Sequence, residues 1–194
     1  KIFGGFTHER SLGSTEAKQF IYAIQPLVES NKLICLLAQF PYSFHYTREN
    51  IEHIKNLRQW FSDLEISVEF RNRNWINEET IKLLKSEGMG FVCVDEPNIK
   101  GLIGNMIAVT SGISYLRMHG KNAEKWYSGQ GSERYNYLYS RNELIEWATK
   151  IKELESNSAV TVVSFNNHPL GKAVENARAL RELMCELENN RMSV

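Results

Sequence analysis

Three cysteines in 194 residues are too few and too far apart to staple a fold. They stand at positions 35, 93 and 185, with no C-x-x-C pair among them. An odd, scattered set argues against a disulfide framework. Cys35 and Cys93 lie inside apolar runs and read as buried free thiols in a reducing compartment, the cytoplasm. Neither sign of charge is in excess, since 23 Lys and Arg balance 23 Asp and Glu. A nonspecific nucleic-acid binder would carry a basic surplus, so only a local basic pocket stays open. No apolar run approaches the roughly 18 residues that a membrane helix needs, and no signal peptide is visible, so no membrane partner is expected. An internal repeat, a low-complexity tract and a dividing linker are also lacking. A methionine start is lacking too, which leaves room for residues upstream.

What is present is an ordinary globular composition, 42% hydrophobic and 24% charged, with length enough for one domain and a full core. Apolar runs at residues 2–6, 32–40, 66–70, 91–94, 115–119 and 159–165 read as six strands. The run KLICLLAQF suits a strand buried on both faces, as in a parallel sheet. Helical periodicity fills the intervals: from Ser14 to about residue 30, after Thr47, after Asn77, from Ser140 to about 154, and from about 171 to 187. Ser14, Thr47 and Ser140 are candidate N-caps, and Gly88 is a natural helix stop. Only the interval after the fourth strand, rich in glycine, is irregular.

Strand–helix alternation predicts a parallel sheet, either an open doubly wound sheet or a (β/α)8 barrel. The phosphate-binding G-x-G-x-x-G turn follows none of the strands, which lowers the first option. The strand ends favour the second. One parity collects Cys35, Leu37 and Gln39; Ser67, Glu69 and Arg71; Cys93 and Asp95; Tyr115, Arg117 and His119. The opposite parity is apolar, as in Val92 and Val94 or Leu116 and Met118. Polar ends at matched parity converge on one mouth, where barrel enzymes keep their active sites. Solvent at the strand ends would account for a single polar residue, less readily for four.

Glu69 and Asp95 would be a carboxylate pair dividing acid and base roles, with His119 as a proton carrier. Alternatively, Arg71 and Arg117 hold both carboxylates ionised in a structural network. Arg71 and Arg117 can also present guanidinium forks to phosphate or carboxylate, whereas Arg73 reads as surface charge. His8, Gln39, Trp75, Asn166 and Asn167 are further candidates for substrate contact. Trp126, Tyr127 and Tyr137 belong to the stretch WYSGQGSERYNYLYS at residues 126–140, which could stack on a sugar or base or simply close the top. With Arg117 and His119 as floor, residues 121–134 would form a mobile rim, Gly120, Gly129 and Gly131 giving it backbone freedom. There is no H-x-H or H-E-x-x-H, so no metal ligand is assigned. No cofactor is expected, the alternative being a divalent metal held by residues from separate strands.

The runs THER (7–10), QFP (39–41), EFRNRNW (69–75), YLRMHG (115–120), the 126–140 stretch and FNNHPLGKAVENA (165–177) resemble the YecE-like family, a widespread bacterial and archaeal family of unknown function. The resemblance covers nearly the whole chain. It implies a TIM-type (β/α)8 barrel with a site on its C-terminal face, and no reaction. It further implies that the first two strand–helix units precede these residues, so that 1–194 would be a single barrel domain incomplete at its N-terminus. The leading functional expectation is an enzyme, a hydrolase or isomerase, acting on a small phosphorylated or polyhydroxylated substrate. The alternatives are a nucleic-acid-linked protein that cleaves or binds phosphodiesters, and a non-catalytic barrel that binds a partner protein. The sequence sets no oligomeric state.

Overall fold

The computed structural model describes residues 1–128 and 132–192. Five parallel strands form one sheet: β1 (Leu36–Gln39), β2 (Ile66–Glu69), β3 (Gly90–Asp95), β4 (Ile113–Met118) and β5 (Val160–Phe165). They lie in sequence order, each beside the one before it. The helices are α1 (Gly4–Thr7), α2 (Ser14–Glu29), α3 (Arg48–Trp60), α4 (Glu78–Ser86), α5 (Arg141–Ser156) and α6 (Lys172–Met192). The caps explain several boundaries. Thr47 accepts from the Asn50 amide, Asn77 accepts from that of Thr80, and Ser140 forms a capping box with Glu143. Gly88 ends the α4 turn at φ 64°, a conformation that favours glycine.

Two expectations are corrected here. The apolar segment at 2–6 is not a strand. Ile2 donates one backbone hydrogen bond to Leu37 at 3.0 Å, and the chain then coils into α1. Its Gly4–Gly5 pair is a poor strand former, and Gly5 lies where a Cβ would sit 2.5 Å from Leu12. The second correction concerns the architecture. The described residues form a five-stranded parallel half-barrel rather than an eight-unit TIM barrel, and no sixth strand joins β1 or β5.

A single apolar core joins the sheet to its helices. Part of it is an aromatic stack just past the C-terminal ends of β1 and β2. There Phe70 stacks on Trp75 at 4.3 Å, and Phe44 stacks on the same indole at 5.2 Å. The strand register decides which side chains share a face. Gln39 pairs with Glu69, Ser67 with Gly90, Val92 with Tyr115, Val94 with Arg117, and Arg117 with Ser164. In a parallel sheet paired residues point the same way. The inner face of β3 therefore carries Gly90, Val92 and Val94, and its outer face carries Cys93 and Asp95. Gly90 is needed there, because a Cβ would come within 2.8 Å of Ser67 Oγ. All three cysteines are free; Cys93 is buried, Cys35 half-buried and Cys185 exposed.

Candidate functional site

Glu69 ends β2, and alternation turns its carboxylate to the inner face. It is fully buried and ringed by donors. Arg71 Nη2 lies 2.7 Å from one oxygen, Arg117 Nη1 donates to the other, and His119 Nε2 is 3.2 Å from the first. Burial alone would raise the carboxyl's pKa. The charges of Arg71 and Arg117 and the bond from His119 outweigh it and hold Glu69 far below the usual carboxylate range. An ionised carboxylate only accepts, which assigns the shared proton to His119 Nε2. Burial and the neighbouring Arg71 charge push His119 down to about 4, so the ring is neutral, with a lone pair on a buried, unpartnered Nδ1.

Arg117 also donates to Gln39 Oε1 at 3.4 Å and to Asn166 Oδ1 at 3.1 Å. Lys1 Nζ reaches the same Gln39 oxygen at 3.2 Å, and its pKa is lowered by burial and by the charge of Arg117. Lys1, Arg71 and Arg117 thus bring three positive charges around one firmly ionised carboxylate.

The second inner-face carboxyl is Glu96, one residue beyond β3. Its Oε1 accepts from the amides of Ile103 (2.9 Å) and Gly104 (3.3 Å), pinning the loop after β3. Its Oε2 is buried without a hydrogen-bond partner, 3.9 Å from Arg71 Nη1. Burial raises its pKa to about 7 against the opposing charge of Arg71, so this group exchanges a proton near neutrality.

Asp95, expected to share the inner mouth, faces outward. No hydrogen bond of normal geometry reaches either of its carboxylate oxygens among the described residues. Beside it lie the Tyr139 hydroxyl, which accepts from the Gly120 amide at 2.8 Å, and the Lys121 ammonium at 3.9 Å. Burial raises its pKa. Its parity was misread because both faces of β3 are apolar, Phe91 and Cys93 on one and Val92 and Val94 on the other. Only the pairing with β2 and β4 resolves them.

The structure brings Gln39, Glu69, Arg71, Arg117, His119 and Asn166 together. Other candidates stand apart. Trp75 is wholly buried in the core and donates to Phe44 O at 2.6 Å. His8 is exposed, and among the described residues its side chain pairs with Thr7 Oγ1 at 2.9 Å. Tyr137 donates to Glu143, which also holds Lys121. Asn167 is buried, donating to Tyr137 O and to Asn176, which in turn brackets the backbone of Tyr139. Tyr137, Asn167 and Asn176 therefore fix the 137–139 segment rather than line the mouth.

Above Arg71 lies a cavity of about 210 Å³. Gln39 and Arg71 contribute to its lining, as do the aromatic side chains of Tyr42, Trp126, Tyr127 and Tyr135, with Arg134 at its edge. Trp126 is buried and Tyr127 is 66% exposed. Gly129 and Gly131, expected to loosen a rim here, lie outside the described residues. Glu96, Tyr42 and Arg134 were not singled out from sequence. For Glu96 the only signal was its place two residues past Val94.

A parallel α/β sheet with a charged cluster at the C-terminal ends of its strands defines the class: an α/β protein with the usual layout of a ligand site. The chain belongs to the DUF72 family, described as a protein of unknown function, whose model matches residues 1–193. It is 30% identical over 201 residues to the UPF0759 protein YunF of Bacillus subtilis (strain 168), covering 95% of this chain and 71% of that protein. A DUF72 family protein from Thermotoga maritima MSB8 superposes with a TM-score of 0.88 at 37% identity, over 96% of this chain and 71% of the other. One from Enterococcus faecalis V583 gives 0.87 at 27% identity, over 94% and 72%. No described helix is long and apolar enough to cross a membrane.

Proposed function

We propose that this protein is an enzyme acting on a small anionic substrate, which the inner face of the half-barrel binds and Glu96 serves as acid or base. The observation that carries this reading is the charge imbalance around Glu69. Two guanidinium groups share one carboxylate, the nearby histidine is neutral, and the second carboxyl titrates near neutrality. An anion would complete that arrangement without displacing Glu69. Glu69 is unsuited to proton transfer, since it is held ionised and both oxygens are occupied. Glu96 Oε2 makes no hydrogen bond among the described residues, and a pKa raised to about 7 suits the proton transfers of a hydrolase or an isomerase. The reading invokes no cofactor.

The reading predicts pH-linked anion binding. Protonating Glu96 removes a negative charge from beside Arg71, so anion affinity should fall as pH rises through about 7. Sulfate is the probe of choice, because its charge is constant over this range. Titration calorimetry at pH 6 and pH 8 should show severalfold tighter binding at pH 6 in the wild type and no such difference in Glu96→Gln. Absence of sulfate binding at both pH values would overturn the proposal.

A further inference from the structure

We infer that the ligand of this site carries a flat heteroaromatic ring beside its anionic group, as a nucleoside monophosphate does. This rests on the anion-site reading above and narrows it. The cavity offers its ligand donors and aromatic surface. Its cationic side chains, Arg71 and Arg134, only donate. Its amide, Gln39, already has its oxygen occupied by Arg117 and Lys1. No carboxylate is among its described lining residues. A phosphate and the ring nitrogens and carbonyls of a base are acceptors and match the arginines.

The walls point the same way. Tyr42 and Tyr127 are large aromatic side chains left 48% and 66% exposed at one cavity. Burial, with Tyr42 nearby, raises the pKa of Tyr127. Tyr42 is held in place rather than loose. Asn72 donates to its carbonyl at 2.8 Å, and Gly101, at φ 98°, admits its hydroxyl where a Cβ would sit 2.6 Å away. Trp126 meets Tyr135 edge to face at 6.2 Å on the other side. Arg134 is half-buried, lies over the Tyr135 ring at 5.9 Å and has no ion pair among the described residues. A base can stack on such faces, while Arg134 and Arg71 take its phosphate. Behind Arg71, the buried Glu96 Oε2 makes no hydrogen bond among the described residues and lies 3.9 Å from Arg71 Nη1.

The test uses calorimetry on the whole chain, with AMP, UMP, ribose 5-phosphate and inorganic phosphate as probes. Both nucleotides should bind about tenfold or more tighter than ribose 5-phosphate, as stacking of one base implies. Tyr127→Ala, an exposed position that should leave the fold intact, should erase that difference. Arg134→Ala should weaken all four probes. Equal affinity for the nucleotides and ribose 5-phosphate, or an unchanged preference in Tyr127→Ala, would overturn the ring proposal while leaving the anion site standing. Failure of every probe to bind would overturn both.

Discussion

Asp95 and Glu96 are neighbours in sequence, and both are buried acids at the end of the same strand, yet they belong to two different regions. Glu96 turns to the inner face, beside Arg71, and it is Arg71 that lines the cavity. Asp95 turns to the outer face, under α5, beside Tyr139 and Lys121. Burial raises both pKa values. The inner region could use such a shift, because open space and uncompensated positive charge adjoin it. The outer region has neither, and its polar groups are tied to the 137–139 segment and to the α5 cap. A perturbed carboxyl marks a functional site only when something else can reach it.

The largest effect should come from breaking the centre of the inner region. Glu69→Ala leaves Arg71 and Arg117 buried without their shared counter-charge and should cost roughly 3–5 kcal/mol in denaturant unfolding. Arg117→Ala should cost less, since Arg71 and His119 still hold Glu69. A loss in Glu69→Ala no larger than in Asp95→Asn would erase the contrast between the two faces.

Next in size is a pH effect in which two inner-face groups oppose each other. Glu96 is raised from 4.5 to about 7, so the folded state binds its proton more tightly. Its contribution is therefore full below about pH 4.5 and is lost as pH rises to about 7. His119 is lowered from 6.5 to about 4, so its contribution is full above about pH 6.5 and is lost as pH falls towards 4. The two slopes cancel in part between pH 4.5 and 6.5. Glu96→Gln, which keeps an acceptor for the Ile103 and Gly104 amides, should uncover a steeper loss of stability in acid. It should also stabilise the protein at pH 8 by on the order of 1–2 kcal/mol. Unfolding curves at half-unit pH intervals would read both effects, and identical pH profiles for wild type and Glu96→Gln would contradict them.

The smallest effect belongs to the outer region. Asp95→Asn removes a buried charge that has no hydrogen-bond partner of normal geometry. It should change stability at neutral pH by less than about 1 kcal/mol, and towards greater stability. Sulfate affinity should be unchanged in this variant. A drop in anion binding comparable to that of Arg71→Ala would mean that the outer face takes part in the site after all.

Much of the scaffold was legible in the chain itself. The runs around β1 to β5, the caps at Thr47 and Ser140, the helix opening at Asn77 and the stop at Gly88 all express local rules of burial period and backbone bonding, whereas Ser14, a candidate cap, is the first residue of α2 and Gly13 is its N-cap. So does the convergence of Gln39, Glu69, Arg71, Arg117 and His119, because strands β1, β2 and β4 have polar residues at one parity and apolar ones at the other. The first apolar run misled, since five residues with two glycines can coil as easily as extend. Trp75 misled as well: its motif is conspicuous, but its indole completes an aromatic stack in the core. The sequence by itself determined that charge would gather at the ends of parallel strands. Only the tertiary structure decided which carboxyl joins that charge, because β3 is apolar on both faces and its orientation is set by hydrogen bonds to β2 and β4. The aromatic cavity was legible only in part: Trp126, Tyr127 and Arg134 share one stretch of sequence, but Tyr42, some 80 residues earlier, and Arg71 join them only through folding.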